Sequence, residues 1–341
     1  MSNIYVMGAY GNGNLGDDAV FLGIKEEHKN DNVIQIYDCK PSSNPSIWGG
    51  EVLSEAFVFP PPGDGDKLII GGGGLFFDNN NIYCIDLVTQ KAQTAGYGVE
   101  IQGVGIEHLA TLDFDDYEKV KVIFNRSKLT SVRSKESARI LNEANIRNVT
   151  VRKDFAYGIS PDMESARKVF PEFRNNLPVV GINLLGWDAS RMNLAVSIVR
   201  MLVSNGCNVL HIPHSRHYSS PFENGIIAGE YIWSLLNLYE TGFNKSEHYK
   251  QLNIVSNPEI LLGVYYLLNG IVGFRYHSFI FSDMANIPLF GFVTSRKHLS
   301  FFTDNPNYTY YNWSTGEGSK EKTLTDMVYN WLNNEVKNRK E

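Results

Sequence analysis

Two regimes of apolar spacing alternate along the chain. Short apolar runs stop at glycine or a polar turn. Longer stretches follow, with apolar residues three or four apart. Ile4 to Met7, Val33 to Tyr37, Lys67 to Ile70, Val99 to Val104, Leu129 to Val132 and Val149 to Arg152 read as strands. Ile82 to Ala95, Phe114 to Phe124 and Ser134 to Asn145 read as helices, the last stopped by Asn145. Another helix follows Gly16, with Val20, Phe21 and Ile24 on one face and Asp17 or Asp18 as its expected cap.

The second half restarts the same alternation. Strands are expected at Pro178 to Leu184, Cys207 to Ile212, Leu252 to Val255 and Ile271 to Gly273, with the last at Leu289 to Phe292. Helices are expected at Arg191 to Asn205 and Tyr231 to Leu238. A third begins at SNPE, where Ser256 and Glu259 form a capping box and Pro258 sits in the first turn. Short strands separated by helical segments predict an α/β protein with parallel sheets covered on both faces. The expected division is an N-terminal domain over 1–165 and a C-terminal domain over 178–315. The polar, proline-bearing stretch PDMESARKVFPEFRNNLP joins them. The tail over 320–341 reads as an amphipathic helix with Leu324, Met327, Val328, Trp331 and Leu332 on its apolar side. That side needs a cover, either the first domain or a second copy of the chain.

Composition narrows the class. A chain of 341 residues with 43% apolar and 20% charged residues folds into more than one domain and is not disordered. The net charge of −6 provides no cationic field, so nucleic acid is not an expected partner. Cys39, Cys84 and Cys207 are far apart and suggest neither a disulfide framework nor a metal site. No basic leader and no apolar stretch of membrane-spanning length is seen, so a cytoplasmic location is expected.

The glycines gather where strands end, which is where ligands sit in such sheets. GAYGNGNLGDDA carries Gly8, Gly11, Gly13 and Gly16, and can bring backbone N–H groups close to a ligand. It is neither a Walker A sequence nor a GxGxxG fingerprint. GGGG at 71–74 has a large ordering cost, and a surface covered by substrate is the expected reason for Gly72, Gly73 and Gly74. GVG at 103–105 is a weaker instance of the same kind.

The sharpest chemistry lies in GFRYHSFIFSDMANIPLFGFVTSRKH. Arg275 and His277 are two apart after a strand and face the same way if the backbone stays extended. Arg275 offers a forked cation for phosphate or carboxylate, and His277 a proton carrier near neutral pH. Ser278 is the expected cap of the next helix. Arg296 and Lys297 follow another strand end and add charge suited to a compact dianion. HIPHSRH at 211–217 places His214, Arg216 and His217 at a strand end as acceptor-binding candidates. It lacks the helical frame or carboxylate of a zinc site, so no metal is expected.

GNGNLGDDA, IIGGGGLF, GVGI, SVRSKES, KDFAY, HIPH and GFRYHSFIFSDMANIPLFGF occur in the order in which the polysaccharide pyruvyl transferase family has them. Between about residue 5 and about residue 300 the chain resembles that family. The resemblance implies a GT-B-like fold, two Rossmann-like domains facing across a cleft. It also implies transfer of the pyruvyl group of phosphoenolpyruvate to two hydroxyls of one sugar, giving a cyclic ketal and phosphate, with no cofactor. The family's G-R-x-H motif falls on Gly273, Arg275 and His277, tied to donor binding and proton transfer, and its lysine on Lys297. Its GN-x-GD turn falls on Gly13, Asn14, Gly16 and Asp17, on the acceptor side. Tyr276 departs from the aliphatic residue usual there, and Glu223 is only a loose match to an acidic residue after the proline–histidine pair.

On this reading His277 is the acid, Arg275 holds phosphate or carboxylate, and Lys297 stabilises the departing phosphate. Asp17, Asp18 and His214 are the candidate acceptor bases. Free sugars, nucleotide sugars and lipid-linked saccharides all stay open as acceptors, as do peripheral membrane contact and the oligomeric state. Two rivals remain: a nucleotide-sugar glycosyltransferase of the same architecture, and a carbohydrate-binding protein without turnover.

Overall fold

The computed structural model describes residues 1–38, 50–54, 56–107, 109–184, 189–216, 224–239, 245–253, 256–313 and 321–338. The chain divides into two compact units. One is Met1–Asn12 with Asp17–Ile159, the other Gly13–Gly16 with Ser160–Glu341. No helix among the described residues is long and apolar enough to cross a membrane.

The first unit runs β1 (Asn3–Met7), α1 (Leu15–Glu27), β2 (Asn32–Asp38), β3 (Glu51–Leu53), β4 (Lys67–Gly71), α2 (Asn79–Ala95), β5 (Gly98–Val104), α3 (Phe114–Arg126), β6 (Leu129–Val132), α4 (Lys135–Glu143) and β7 (Val149–Val151). Its seven strands are ordered β3-β2-β1-β4-β5-β6-β7, and every pairing is parallel. The strands are apolar on both faces because both are covered, and Val6, Leu68, Ile69, Ile70 and Ile101 are fully buried. The helix ends follow local chemistry. Asp78 caps α2 by accepting from Asn81 N, Asp113 caps α3, Ser134 caps α4, and Gly96 closes α2 in the left-handed region at φ 94°.

The second unit runs α5 (Met163–Val169), β8 (Val179–Asn183), α6 (Ala189–Ser204), β9 (Asn208–His211), α7 (Gly225–Tyr239), α8 (Lys245–His248), β10 (Tyr249–Gln251), α9 (Pro258–Tyr265), β11 (Gly270–Gly273), α10 (Tyr276–Met284), β12 (Leu289–Val293), α11 (Arg296–Asp304), β13 (Thr309–Asn312) and α12 (Glu321–Trp331). Its parallel strands are ordered β10-β9-β8-β11-β12-β13. In each unit the first strand sits where the order reverses, beside β4 in one and beside β11 in the other. Such a switch point opens a crevice at the carboxyl ends of the strands.

Several elements depart from the sequence pattern. Asp17 and Asp18 do not cap α1. The helix starts earlier, at Leu15, and the Asn14 side chain accepts from Gly16 N at 3.1 Å. The stretch expected to be a plain linker holds α5, capped by Asp162 and packed on α9. The strand expected at 252–255 lies earlier, at β10, because pairing with Val209–His211 sets its position. Residues 254 and 255 lie outside the described residues. Asn257, not Ser256, caps α9 by accepting from Glu259 N. β12 is not the last strand, because TYYN pairs beside it as β13, with Tyr310 stacked on Phe302. The apolar side of α12 does not go to the first unit. Leu324, Val328, Trp331 and Leu332 are buried in the second unit's own core, and α12 packs on α6.

Candidate functional site

The carboxyl edge of the second sheet gathers four strand ends: Asn183–Leu184 after β8, His211–Arg216 after β9, Phe274–His277 after β11 and Thr294–Lys297 after β12. Arg275 is extended (φ −103°, ψ 142°) and His277 is already in the first turn of α10. The two are thus adjacent through a strand-to-helix turn and not through strand alternation, as the spacing alone implied. Arg275 N donates to Asn183 Oδ1 at 3.1 Å, and its Nε donates to Leu184 O at 3.0 Å. The Asn183 Nδ2 donates to Ile212 O at 3.0 Å, so one buried amide ties three strand ends together. Fixing Nε on a carbonyl sets the plane of the guanidinium.

His277 is 7% exposed, and its ring lies against Gly16. A Cβ added at Gly16 would overlap the imidazole, so only glycine allows this approach. The segment Gly13–Gly16 is held by a short antiparallel bridge between Asn14 and Ser215. Leu15 N donates to His214 O at 3.0 Å and Arg216 N to Gly13 O at 2.8 Å. At Gly13 (φ 78°) an added Cβ would sit 2.8 Å from Arg216 O. This half of the glycine turn therefore holds histidine-bearing chain.

His214 is not an exposed acceptor contact. It is 1% exposed, its Nε2 lies 2.6 Å from the Tyr265 hydroxyl, and its ring meets Phe281. Burial holds its pKa well below the ordinary histidine value, and Arg275 and His277 push the same way. His211 is fully buried against Gly229 and Gln251, and desolvation lowers it to about 3. Ser278 does not cap α10. Its hydroxyl donates to Arg275 O at 2.6 Å from within the first turn. Lys297 is half-buried and Arg296 exposed at the start of α11, on the strand next to β11. His217 and Glu223 lie outside the described residues.

In the first unit the edge is built differently. The Tyr10 hydroxyl donates to Gly71 O, and Gly11 N donates to Asp18 Oδ1 at 2.6 Å. Asp18 is fully buried and organises the turn, which argues against a role on an open acceptor. Gly71 and Gly72 are closely packed, whereas the sequence pattern gives Gly72 to a substrate-covered surface. A Cβ on Gly72 (φ 63°) would overlap Val20 of α1. Gly73 (φ 69°) and Gly74 are the roomier pair, since a Cβ on Gly73 meets only Asp17 Oδ1 at 3.6 Å. Behind GVG, Arg133 pairs with Asp154 at 3.2 Å, both side chains nearly unexposed, and Gly105 leaves room for the guanidinium. Tyr10 is pushed well above its usual pKa by burial, with Asp17 and Asp154 adding to the shift.

The polysaccharide pyruvyl transferase profile matches residues 14–296. The chain belongs to that family. The match reaches from the Asn14 turn through Arg275 and His277 to Arg296. No curated protein matches the chain at a significant level. Solved structures share the fold at low identity. UDP-GlcNAc 2-epimerase of Neisseria meningitidis, bound to UDP-GlcNAc, has a TM-score of 0.60 at 10% identity, covering 98% of this chain and 92% of that one. Anabaena Alr3699/HepE, in complex with UDP and glucose, has a TM-score of 0.60 at 10% identity over 98% and 90%. MurG of Acinetobacter baumannii has a TM-score of 0.54 at 10% identity over 98% and 91%. This member of the family therefore has the two parallel-sheet α/β units of the GT-B glycosyltransferases and epimerases.

Two residues beside the family motif carry no motif signal. Asn183 is a lone polar residue at the end of the apolar run VVGIN, and Tyr265 sits inside the apolar run LLGVYYLL. Asn183 is legible as an oddity at a strand end. Tyr265 reads as ordinary core.

Proposed function

We propose that this protein moves the pyruvyl group of phosphoenolpyruvate onto two hydroxyls of a saccharide, forming a cyclic ketal and releasing phosphate. The single observation that carries the reading is the pairing of Arg275, oriented by Leu184 O, with His277 in the first turn of α10. A donor with both phosphate and carboxylate needs a fixed fork of N–H groups and a nearby proton source. Arg275 holds one of the two anions. His277 delivers a proton to the methylene carbon as an acceptor oxygen bonds to the neighbouring carbon. The carbon–oxygen bond to phosphate then breaks, with Lys297 at the start of α11 stabilising the leaving anion. The second hydroxyl bonds to the same carbon and its proton leaves with phosphate or solvent, so the ketal closes without a redox step.

Of the three candidate bases, Asp17 is the one that burial leaves in place. His214 and Asp18 are enclosed and engaged elsewhere. Asp17 follows Gly16 directly and takes the first hydroxyl proton. On this reading the second unit is the donor side and the first unit, through Asp17, Gly73 and Gly74, the acceptor side.

The test is incubation with phosphoenolpyruvate and a panel of free sugars, nucleotide sugars and lipid-linked saccharides. Phosphate release and acceptor mass are read together. The expected product gains one pyruvate less one water, and His277→Ala loses both signals. Turnover of a nucleotide-sugar donor in place of phosphoenolpyruvate would overturn the donor assignment.

A further inference from the structure

The covering that keeps the centre of the first sheet apolar on both faces gives out over β5, β6 and β7. Val99, Ile101 and Val132 belong to the core on one side. The alternate positions, Glu100, Gln102, Ser131, Thr150 and Arg152, are polar, and Ser131 pairs directly opposite Thr150. Side chains alternate along a strand, so these residues share the other face. A cleft of about 700 Å³ lies over that face, with Glu26 and Glu27 of α1 on one side and Lys153 to Tyr157 on another. All of it lies within the first unit.

The floor of the cleft is a line of hydrogen-bonded polar groups. Lys67 Nζ donates to Glu100 Oε2 at 2.9 Å, and Gln102 Nε2 donates to the same oxygen at 2.6 Å. Arg152 Nη1 donates to Gln102 Oε1 at 2.6 Å, and its Nη2 donates to Glu27 Oε2 at 2.5 Å. Phe155 backs the guanidinium, whose central carbon is 3.8 Å from the ring centre. Such a line fixes its donors and acceptors before a ligand arrives. The buried Nε of Arg152 has no hydrogen-bond partner among the described residues, so the fork keeps donor capacity beyond the line.

We propose that this cleft binds a neutral stretch of saccharide, several sugar units away from the end that reacts. Its volume is that of a small-ligand site. Its ionised groups are mostly paired, Glu27 with Arg152, Asp154 with Arg133 and Glu26 with Lys29, and Lys153 stands over the Tyr157 ring. That balance calls for neither a strong anion nor a strong cation. Each sugar hydroxyl both donates and accepts, and a row of carboxylate, amide, guanidinium and hydroxyl groups answers it in either direction. Asp17 and Glu27 lie ten positions apart on α1, which sets the cleft roughly 15 Å along the helix from Asp17. The link to the acceptor rests on the pyruvyl-transfer reading, whereas the cleft itself does not.

The first measurement needs no activity. Single sugars and longer neutral linear oligosaccharides, in α- and β-linked glucose, galactose, mannose and N-acetylglucosamine series, are titrated against the full-length protein by calorimetry. At least one series is expected to bind, and more tightly as the chain lengthens. Thr150→Trp fills the cleft from an exposed position on β7 and is expected to weaken that binding about tenfold or more. Asn125→Trp adds the same ring at an exposed position on α3 outside the cleft, and is expected to bind as the wild type does. Lys153→Ala, an exposed side chain of the cleft, is the second variant should Thr150→Trp fail to fold, with an expected loss of about threefold. Binding by none of the series, wild-type binding by the folded Thr150→Trp protein, or tighter binding of a sulfated oligosaccharide than of its neutral counterpart overturns the proposal. In the phosphoenolpyruvate assay, Thr150→Trp is expected to raise KM for a long acceptor relative to KM for its single sugar. An unchanged ratio overturns the link to the acceptor. If the wild type binds oligosaccharide in the cleft and releases no phosphate, the transferase reading falls and the cleft stands.

Discussion

His277 owes its place to a residue with no side chain. Gly16, in the segment Gly13–Gly16 of the second unit, lets the backbone lie against the imidazole, and an added methyl group would overlap the ring. Gly16→Ala is expected to cut phosphate release at least tenfold by displacing His277, with the far-ultraviolet spectrum retained. Wild-type activity in this variant would remove His277 from the proton-transfer role. The donor fork is testable in the same way. Arg275→Lys keeps the charge but loses the planar Nε bond to Leu184 O, so KM for phosphoenolpyruvate is expected to rise about tenfold or more. These residues were legible in the sequence because GFRYHS concentrates polar chemistry at a strand end. Their geometry was not. The extended spacing put Arg275 and His277 on one strand face, whereas α10 begins between them. His214 read as an acceptor-binding candidate at a strand end. Its burial depends on Tyr265 and Phe281, which resemble core in the chain and meet it only once the sheet is formed.

At the scale of elements, strand-end glycines do two jobs that composition cannot separate. Gly72 is a packing residue between β4 and α1, while Gly74 is exposed with ordinary room around it. Gly72→Ala is expected to destabilise the protein by about 2–4 kcal/mol, from overlap with Val20 and a positive φ together. Gly74→Ala is expected to change stability by no more than about 0.5 kcal/mol, and any effect should fall on acceptor KM. Chemical denaturation of the two variants side by side checks the contrast, and equal destabilisation would refute it. Helices and strands were mostly recovered from period alone, since burial on one face forces the spacing. α5 was missed because seven residues between prolines give too short a window for a period to show. β10 was misplaced because a three-residue edge strand takes its register from its neighbour, β9.

Across the whole molecule, burial of histidine makes stability depend on pH. His211 has its pKa lowered to about 3, and His214 is lowered well below its ordinary value. The unfolded chain binds protons on both near pH 6.5, whereas the folded chain does not. Stability is therefore complete above about pH 6.5 and falls as pH drops toward 3, by about 1.4 kcal/mol per pH unit for each such histidine. His211→Met is expected to reduce that slope by one proton's worth, measured by denaturant unfolding at several pH values. An unchanged slope would show that His211 is protonated in the fold.

The alternation of strand and helix, the glycine-marked strand ends and the segment holding Arg275 and His277 are local properties of the chain. Each follows from the period of burial or from residue chemistry within a few positions, and so could be read in order from the letters. Which of those positions meet is a different matter. The grouping of Gly13–Gly16 with the second unit, the enclosure of His214 by Tyr265, the amide of Asn183 joining three strand ends and the burial of α12 on α6 all pair residues far apart in sequence. Periodicity says that a face is buried but not against what. Strand order and hydrogen-bond pairing supply that missing fact, and they exist only in the folded sheet.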